Sequence, residues 1–301
     1  IHPKSLPQSL TIIGGGVIGC EFACLYAELG TKVSVVEMLP HLLPFEDIDT
    51  SKTIERELKK HGAEIFTGEK VLAVDTGGGG TVCQLESGKT ISAEKVLVSV
   101  GRTFNTEDIN LDKIGVELNK NRSIKVNDKM ETSVKGIYAI GDCAGKYLLA
   151  YTASHEGIVA ATNAVGKPAK VDYKAVPITI FTDPEVGSVG LSQQKAEEKG
   201  HKVRIGQFLF RVLGKSKAER DLAGHVKVIA DEKTDKILGV HIVGAHATDL
   251  IHEAAVAIQN DMTAHGLGEV FHAHPVLAEA VMEAVHDVHG MSVHTPKKLV
   301  K

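Results

Sequence analysis

The tightest constraint on this chain is a glycine pattern, Gly14-Gly15-Gly16-Val17-Ile18-Gly19, set between a short apolar run and a helix-like stretch. Leu10-Thr11-Ile12-Ile13 reads as a buried strand that stops at the glycines. Cys20 to Leu29 reads as a helix ended by Gly30, and Lys32 to Glu37 as a second strand. Strand, tight turn, helix and strand in that order make a βαβ unit and call for a parallel sheet. The pattern G-x-G-x-x-G falls on Gly14, Gly16 and Gly19, in the strand-to-helix context that gives it meaning. The first glycine permits the turn, the second admits a pyrophosphate close to the backbone, and the third lets helix and strand pack closely. The helix N-terminus attracts the negative charge, and Val17 and Ile18 within the motif are candidate cofactor-binding residues with its glycines.

Glu37 closes the second strand, where a carboxylate accepts hydrogen bonds from an adenosine ribose and repels a 2′-phosphate. The next residues are Met38, Leu39 and Pro40, with no Arg, so NAD is expected over NADP. The bland alternative is a glycine turn with a solvent-facing Glu. By itself the motif establishes dinucleotide binding alone, as in a simple dehydrogenase, a flavoprotein or a regulatory sensor.

Further along, Thr50 to His61 carries a second helix signal stopped by Gly62, and Glu64-Ile65-Phe66 is the next strand. The tract Gly77 to Gly80 reads as a flexible hairpin turn between strands. Lys95 to Val100 is another strand, ending at Gly101-Arg102. Residues 103–135 are polar with little periodicity. Ile137 to Ile140 reads as a buried strand closing on Gly141-Asp142, with a helix expected over Ser154 to Ala164. The character changes near Gly166-Lys167-Pro168. Beyond it, the β-rich runs Val226 to Ala230 and Ile237 to Val243, with helices over Ser192 to Lys199 and Asp249 to Asn260, make an α+β pattern. The expected fold class is α/β: a Rossmann-like dinucleotide-binding domain over residues 1–100, a central part over 101–170 and an α+β domain over 171–301.

A net charge of -4 offers no basic face for nucleic acid and no polybasic arm for a membrane. No apolar run approaches the roughly 20 residues that span a bilayer. Neither nucleic acid nor a membrane is expected as a partner. The opening Ile1-His2-Pro3-Lys4 has no Met and no signal-peptide pattern and reads like a linker in mid-protein, so residues are expected upstream. The four cysteines (Cys20, Cys24, Cys83, Cys143) fit a reducing compartment better than a disulfide framework. Cys20 and Cys24 stand one helical turn apart. Packing of helix against sheet is expected there rather than redox chemistry, because neighbouring helical cysteines rarely meet disulfide geometry.

Three stretches carry a family resemblance. Gly136 to Ala144, with Gly141-Asp142 at its centre, resembles the second flavin-contact motif of flavoproteins that bind two dinucleotides; read alone, it is an ordinary turn. Phe181 to Gly190 resembles the start of their dimerisation domain. His272-Ala273-His274-Pro275-Val276-Leu277-Ala278-Glu279 resembles the disulfide-reductase signature in which a His-Pro pair is followed by a Glu. On these residues the chain resembles, over essentially its whole length, the flavin-dependent pyridine nucleotide-disulfide oxidoreductases. The His-Ala-His form narrows the resemblance to the branch that oxidises dihydrolipoamide.

The resemblance implies FAD and NAD as cofactors. It assigns Asp142 to the ribityl chain, Leu148 and Ala150 to the segment nearing the flavin ring, and Gly101 and Arg102 to the cofactor contacts. It makes His274 the base and Glu279 its orienter, with a cis bond expected at Pro275. It also implies a homodimer in which that pair serves the partner's disulfide. The macromolecular partner it implies is the lipoyl domain of a 2-oxo-acid dehydrogenase or glycine cleavage complex. The setting is expected to be cytoplasmic, or the mitochondrial matrix or plastid stroma in a eukaryote. The chemistry fits the grouping. A dithiol must lose a proton before it attacks a disulfide, and His is suited to that near neutral pH. A carboxylate fixes its tautomer. Among the 15 histidines, His272 with His274 or His286 with His289 lack further ligands at convincing spacing, so no metal is expected. The family's Cys-x4-Cys disulfide and its first glycine motif have no counterpart in these 301 residues, so the chain is expected to be inactive by itself.

Overall fold

The computed structural model describes residues 3–295, so Ile1 and His2 of the linker reading lie outside the described residues. Strand β1 (Ser9–Ile13) runs into the glycine turn and helix α1 (Val17–Glu28), which returns the chain to β2 (Lys32–Glu37). Helix α2 (Ile48–Lys60) starts at Asp47, whose side chain caps it by accepting from the Asp49 N–H, and its end turns at Gly62, φ 86°. Then follow β3 (Glu64–Thr67), β4 (Val71–Asp75), β5 (Thr81–Leu85), β6 (Thr90–Ala93) and β7 (Lys95–Val98). Four of these strands form a parallel sheet in the order β3-β2-β1-β7. The other three make an antiparallel meander whose first turn contains the Gly77–Gly80 tract. Helix α1 buries only small residues (Gly19, Cys20, Ala23, Cys24, Ala27), which lets it lie close to Leu10, Ile12, Val33 and Val35 of the sheet. Each fully buried Ile or Val there contributes about 1.5–3 kcal/mol.

Contacts divide the chain into two units, Gly101–Val176 and the remainder. In the smaller unit α3 (Ala150–Ala164) packs Val159 and Ala160 with Met130 and Ala144. The strand expected over Ile137 to Ile140 does not form. An isolated bridge joins Tyr138 to Glu131, because Met130 opposite adopts a left-handed backbone (φ 63°) and a tight turn links Val134 to Ile137.

The larger unit resumes with β8 (Ile178–Ile180), β9 (Val186–Gly190), α4 (Gln193–Glu198), β10 (Val203–Leu209), α5 (Gly214–Glu219), β11 (His225–Asp231) and β12 (Ile237–Val243). Helices α6 (Ala247–Gln259), α7 (Ala264–Gly268) and α8 (Glu279–Asp287) follow. The sheet is antiparallel in the order β10-β11-β12-β9-β8. Helix α6 lies on β9 and β12, and α8 on β10 and β11. The approach is close: a Cβ on Gly206 of β10 would sit 2.0 Å from the Ala284 carbonyl oxygen of α8. The apolar stripe of α6 therefore serves its own sheet. Ile251, Ala254 and Ile258 are buried, Leu250 and Ala255 are partly so, and Val256 on the outer side is exposed.

Candidate active and cofactor sites

The glycine turn sits at the C-terminal end of β1, the edge where a parallel sheet receives a dinucleotide. Gly19 lies so close to Gly14 that an added Cβ would fall 1.9 Å from the Gly14 carbonyl oxygen. A Cβ on Gly16 would meet nothing within 4 Å, so this glycine faces open space. No side chain caps α1, which leaves its first-turn N–H groups, with the half-exposed Val17 and Ile18, ready for a phosphate. Glu37 is turned into the loop and is 7% exposed: its Oε2 accepts from the Gly15 N–H at 2.6 Å and its Oε1 from the Leu39 N–H at 2.8 Å. The solvent-facing alternative is thus not what the structure adopts. Each oxygen keeps a second acceptor site for a ribose hydroxyl. These residues fit NAD.

In the smaller unit Asp142 lies in a 3-10 turn, Gly141–Ala144, and pairs with Arg102 at 3.2 Å, both side chains about half exposed. Gly101 takes φ 115°. Leu148 is exposed, and Ala150 opens α3, which has no side-chain cap. An exposed carboxylate, exposed apolar side chains at Ile140, Leu148 and Tyr151 in the same unit, and an uncapped helix start suit a group with both a polyol and a flat ring, so these residues fit the second half of FAD. Sequence reasoning missed Glu156. It is fully buried, and its carboxylate accepts from the Gly141 N–H at 2.6 Å and from the Tyr173 hydroxyl at 2.7 Å. Burial, with Glu156 next, pushes the Tyr173 phenol well up. The pair fixes the turn that carries Asp142; an acidic residue mid-helix in an apolar stretch was the available signal.

His274 and Glu279, five residues apart, meet at the start of α8. His274 Nδ1 lies 2.8 Å from Glu279 Oε1, and the Val276 N–H donates to Glu279 Oε2 at 3.0 Å. The His274–Pro275 peptide is cis. The imidazole is 76% exposed and the carboxylate 12%. Burial would raise Glu279, but the His274 and Val276 hydrogen bonds outweigh it and hold the carboxyl below its ordinary range. With an ionised acceptor at Nδ1, the neutral ring carries its proton there and presents the Nε2 lone pair outward as a base.

Cys20 donates to the Gly15 carbonyl and Cys24 to Glu28. Burial pushes the Cys20 thiol far up and the Cys24 thiol up to about 12, so both act as packing groups. All four cysteines are free. Among the described residues the one three-member set of metal-type ligands is Glu28, His61 and Asp183, all exposed and none in the His272–Glu279 stretch. No helix of the described residues is long and apolar enough to cross a membrane.

Residues 1–157 match the pyridine nucleotide-disulphide oxidoreductase family, and residues 176–285 its dimerisation domain. The chain belongs to this family, whose members use FAD and NAD. A dihydrolipoyl dehydrogenase of Chlamydia muridarum is 42% identical over 296 residues, covering 98% of this chain and 63% of the relative. One of Bacillus subtilis is 42% identical over 300 residues with the same coverage. The crystal structure of LpdA from Mycobacterium tuberculosis superimposes with a TM-score of 0.88 at 30% identity, covering 94% of this chain and 62% of that one. The chain thus spans less than two thirds of the relatives it matches.

Proposed function

We propose that the polypeptide containing this chain is a dihydrolipoyl dehydrogenase, a homodimer that oxidises dihydrolipoyl groups and delivers hydride to NAD. The observation that carries the reading is the His274–Glu279 pair, an oriented and exposed base in a chain that also holds a dinucleotide turn. Nε2 of His274 takes a proton from one dithiol sulfur, which leaves the thiolate needed to attack a disulfide. The imidazolium so formed is stabilised through Nδ1–H by the ionised Glu279. Glu37 sets the preference for NAD through the ribose. Bound in these sites, FAD supplies a two-electron acceptor and NAD the final hydride acceptor.

We further assign residues 1–100 to NAD binding, 101–170 to the flavin and central region, and 171–301 to the interface. The substrate-bearing partner is the lipoyl domain of a 2-oxo-acid dehydrogenase or glycine cleavage complex. Four free thiols support a reducing setting such as the cytoplasm. The test is NADH formation from dihydrolipoamide and NAD by the purified full-length polypeptide. Turnover with NAD at least about tenfold above NADP is expected, the order of one lost ribose contact and a carboxylate–phosphate repulsion. No oxidation of dihydrolipoamide, with reduction of another disulfide at the expense of NADPH, would contradict it.

A further inference from the structure

Two residues before His274 stands a second imidazole, buried where the first is open. The His272 side chain is 5% exposed. Its Nδ1 lies 2.9 Å from the Val270 carbonyl oxygen and its Nε2 2.7 Å from Glu253 Oε1 on α6. Both partners are acceptors. A neutral imidazole has one N–H and would turn a lone pair toward one of these oxygens; only the cation donates to both.

We propose that His272, locked as an imidazolium between Val270 and Glu253, is a positioning residue for His274: it ties the His-Ala-His-Pro segment to α6 and balances the charge against which His274 titrates. The inference rests on the reading of His274 as the base. The hydrogen bond that His272 donates to Glu253, more than any other influence, holds His272 above its ordinary value against burial, and Glu279 adds to it through space. Among the described residues, Glu253 on α6 and Glu279 on α8 act on His272, and Glu279 is in turn lowered by His274 and by His294, which pairs with Glu283 at 2.7 Å. His272 and Glu253 form an ion pair two residues before His274 in the chain. The signal in sequence is the first histidine of His-Ala-His-Pro; Glu253, distant along the chain, could not be paired with it before folding.

The test is a titration of labelled histidine rings by NMR in this chain, for the wild type, His272→Gln, and His272→Gln with Glu253→Gln. In the wild type, His272 is expected to titrate above the ordinary midpoint of about 6.5; a midpoint at or below that value overturns the proposal without any variant. A Gln at 272 keeps a donor toward Glu253 but leaves that carboxylate unbalanced. The His274 midpoint should rise by roughly half a unit to one unit, as one nearby uncompensated charge does. Removing the charge from Glu253 as well should bring it back. A packing role alone would leave the midpoint where it was, and a His274 midpoint unmoved in folded His272→Gln sinks the proposal. None of these readouts needs turnover, so failure to oxidise dihydrolipoamide would remove the proposed function and leave the titration standing.

Discussion

At the scale of single residues, the dinucleotide turn depends on two positions that tolerate little change. Gly19→Ala would place a Cβ 1.9 Å from the Gly14 carbonyl oxygen. Helix α1 must then move away from the turn, at a cost of about 1–3 kcal/mol. Calorimetry should register NAD affinity lower by tenfold or more; wild-type affinity would show that the turn is not the binding site. Glu37→Ala removes the acceptor for the Gly15 and Leu39 N–H groups. Leaving such groups unpaired costs about 1–3 kcal/mol each. The variant should lose stability to denaturant together with NAD affinity, and loss of affinity alone would mean that the loop does not lean on this carboxylate. Gly14, Gly16, Gly19 and Glu37 were legible in the sequence because the motif is local. Glu156 and Glu253 were not, because their partners lie far along the chain and no periodicity connects them.

At the scale of elements, the N-terminus of α2 is pinned to β11 by a buried cluster. Lys227 is 2% exposed and donates to Asp47 at 2.9 Å and Asp49 at 2.7 Å, while Asp47 also accepts from the Gln193 N–H. Lys227→Met would leave the fully buried Asp47 without its cation, a loss of about 3–5 kcal/mol. Denaturant unfolding should resolve it, and a change under about 1 kcal/mol, the range of an exposed pair, would mean that water reaches the cluster. His225 in the same cluster is held neutral: burial, above all, lowers it from 6.5 to about 4. Between those values the native state binds fewer protons than the unfolded one. Stability is therefore full above about pH 6.5 and falls as the pH drops toward 4, by up to about 3 kcal/mol. His225→Gln should flatten that slope. Asp47 acts lower: burial raises it, but the Lys227 hydrogen bond and its neighbours outweigh this, so its contribution is lost as the pH falls through a value below the ordinary carboxylate range. The strands flanking the glycine turn and the Val226–Val243 hairpin were readable from their apolar, β-rich runs and the turn residues that punctuate them. The segment Ile137 to Ile140 misled because its apolar run suits a strand, whereas the chain opposite bends at Met130 and offers no continuous edge.

At the scale of the whole molecule, the family resemblance rested on widely spaced motifs, and the structure brings His274 to Glu279 as that pattern implied. The apolar stripe of α6 is taken up by its own sheet, on β9 and β12. Large apolar side chains remain exposed around the His274 segment, with Phe271, Val270, Met291 and Val293 the chief ones. They mark the surface we assign to dimer contact. Light scattering should report a mass about twice that of the single chain; a mass near 32.1 kDa at working concentration would remove the dimer from the account. The central claim, that His274 is the base for dithiol oxidation, meets its most direct test in steady-state kinetics of dihydrolipoamide oxidation by NAD, comparing His274→Gln with wild type in the full-length polypeptide. The account predicts a fall of about 10²–10⁴ in kcat, the range of a lost general base, in a variant whose circular dichroism is unchanged. Oxidation at the wild-type rate would contradict it.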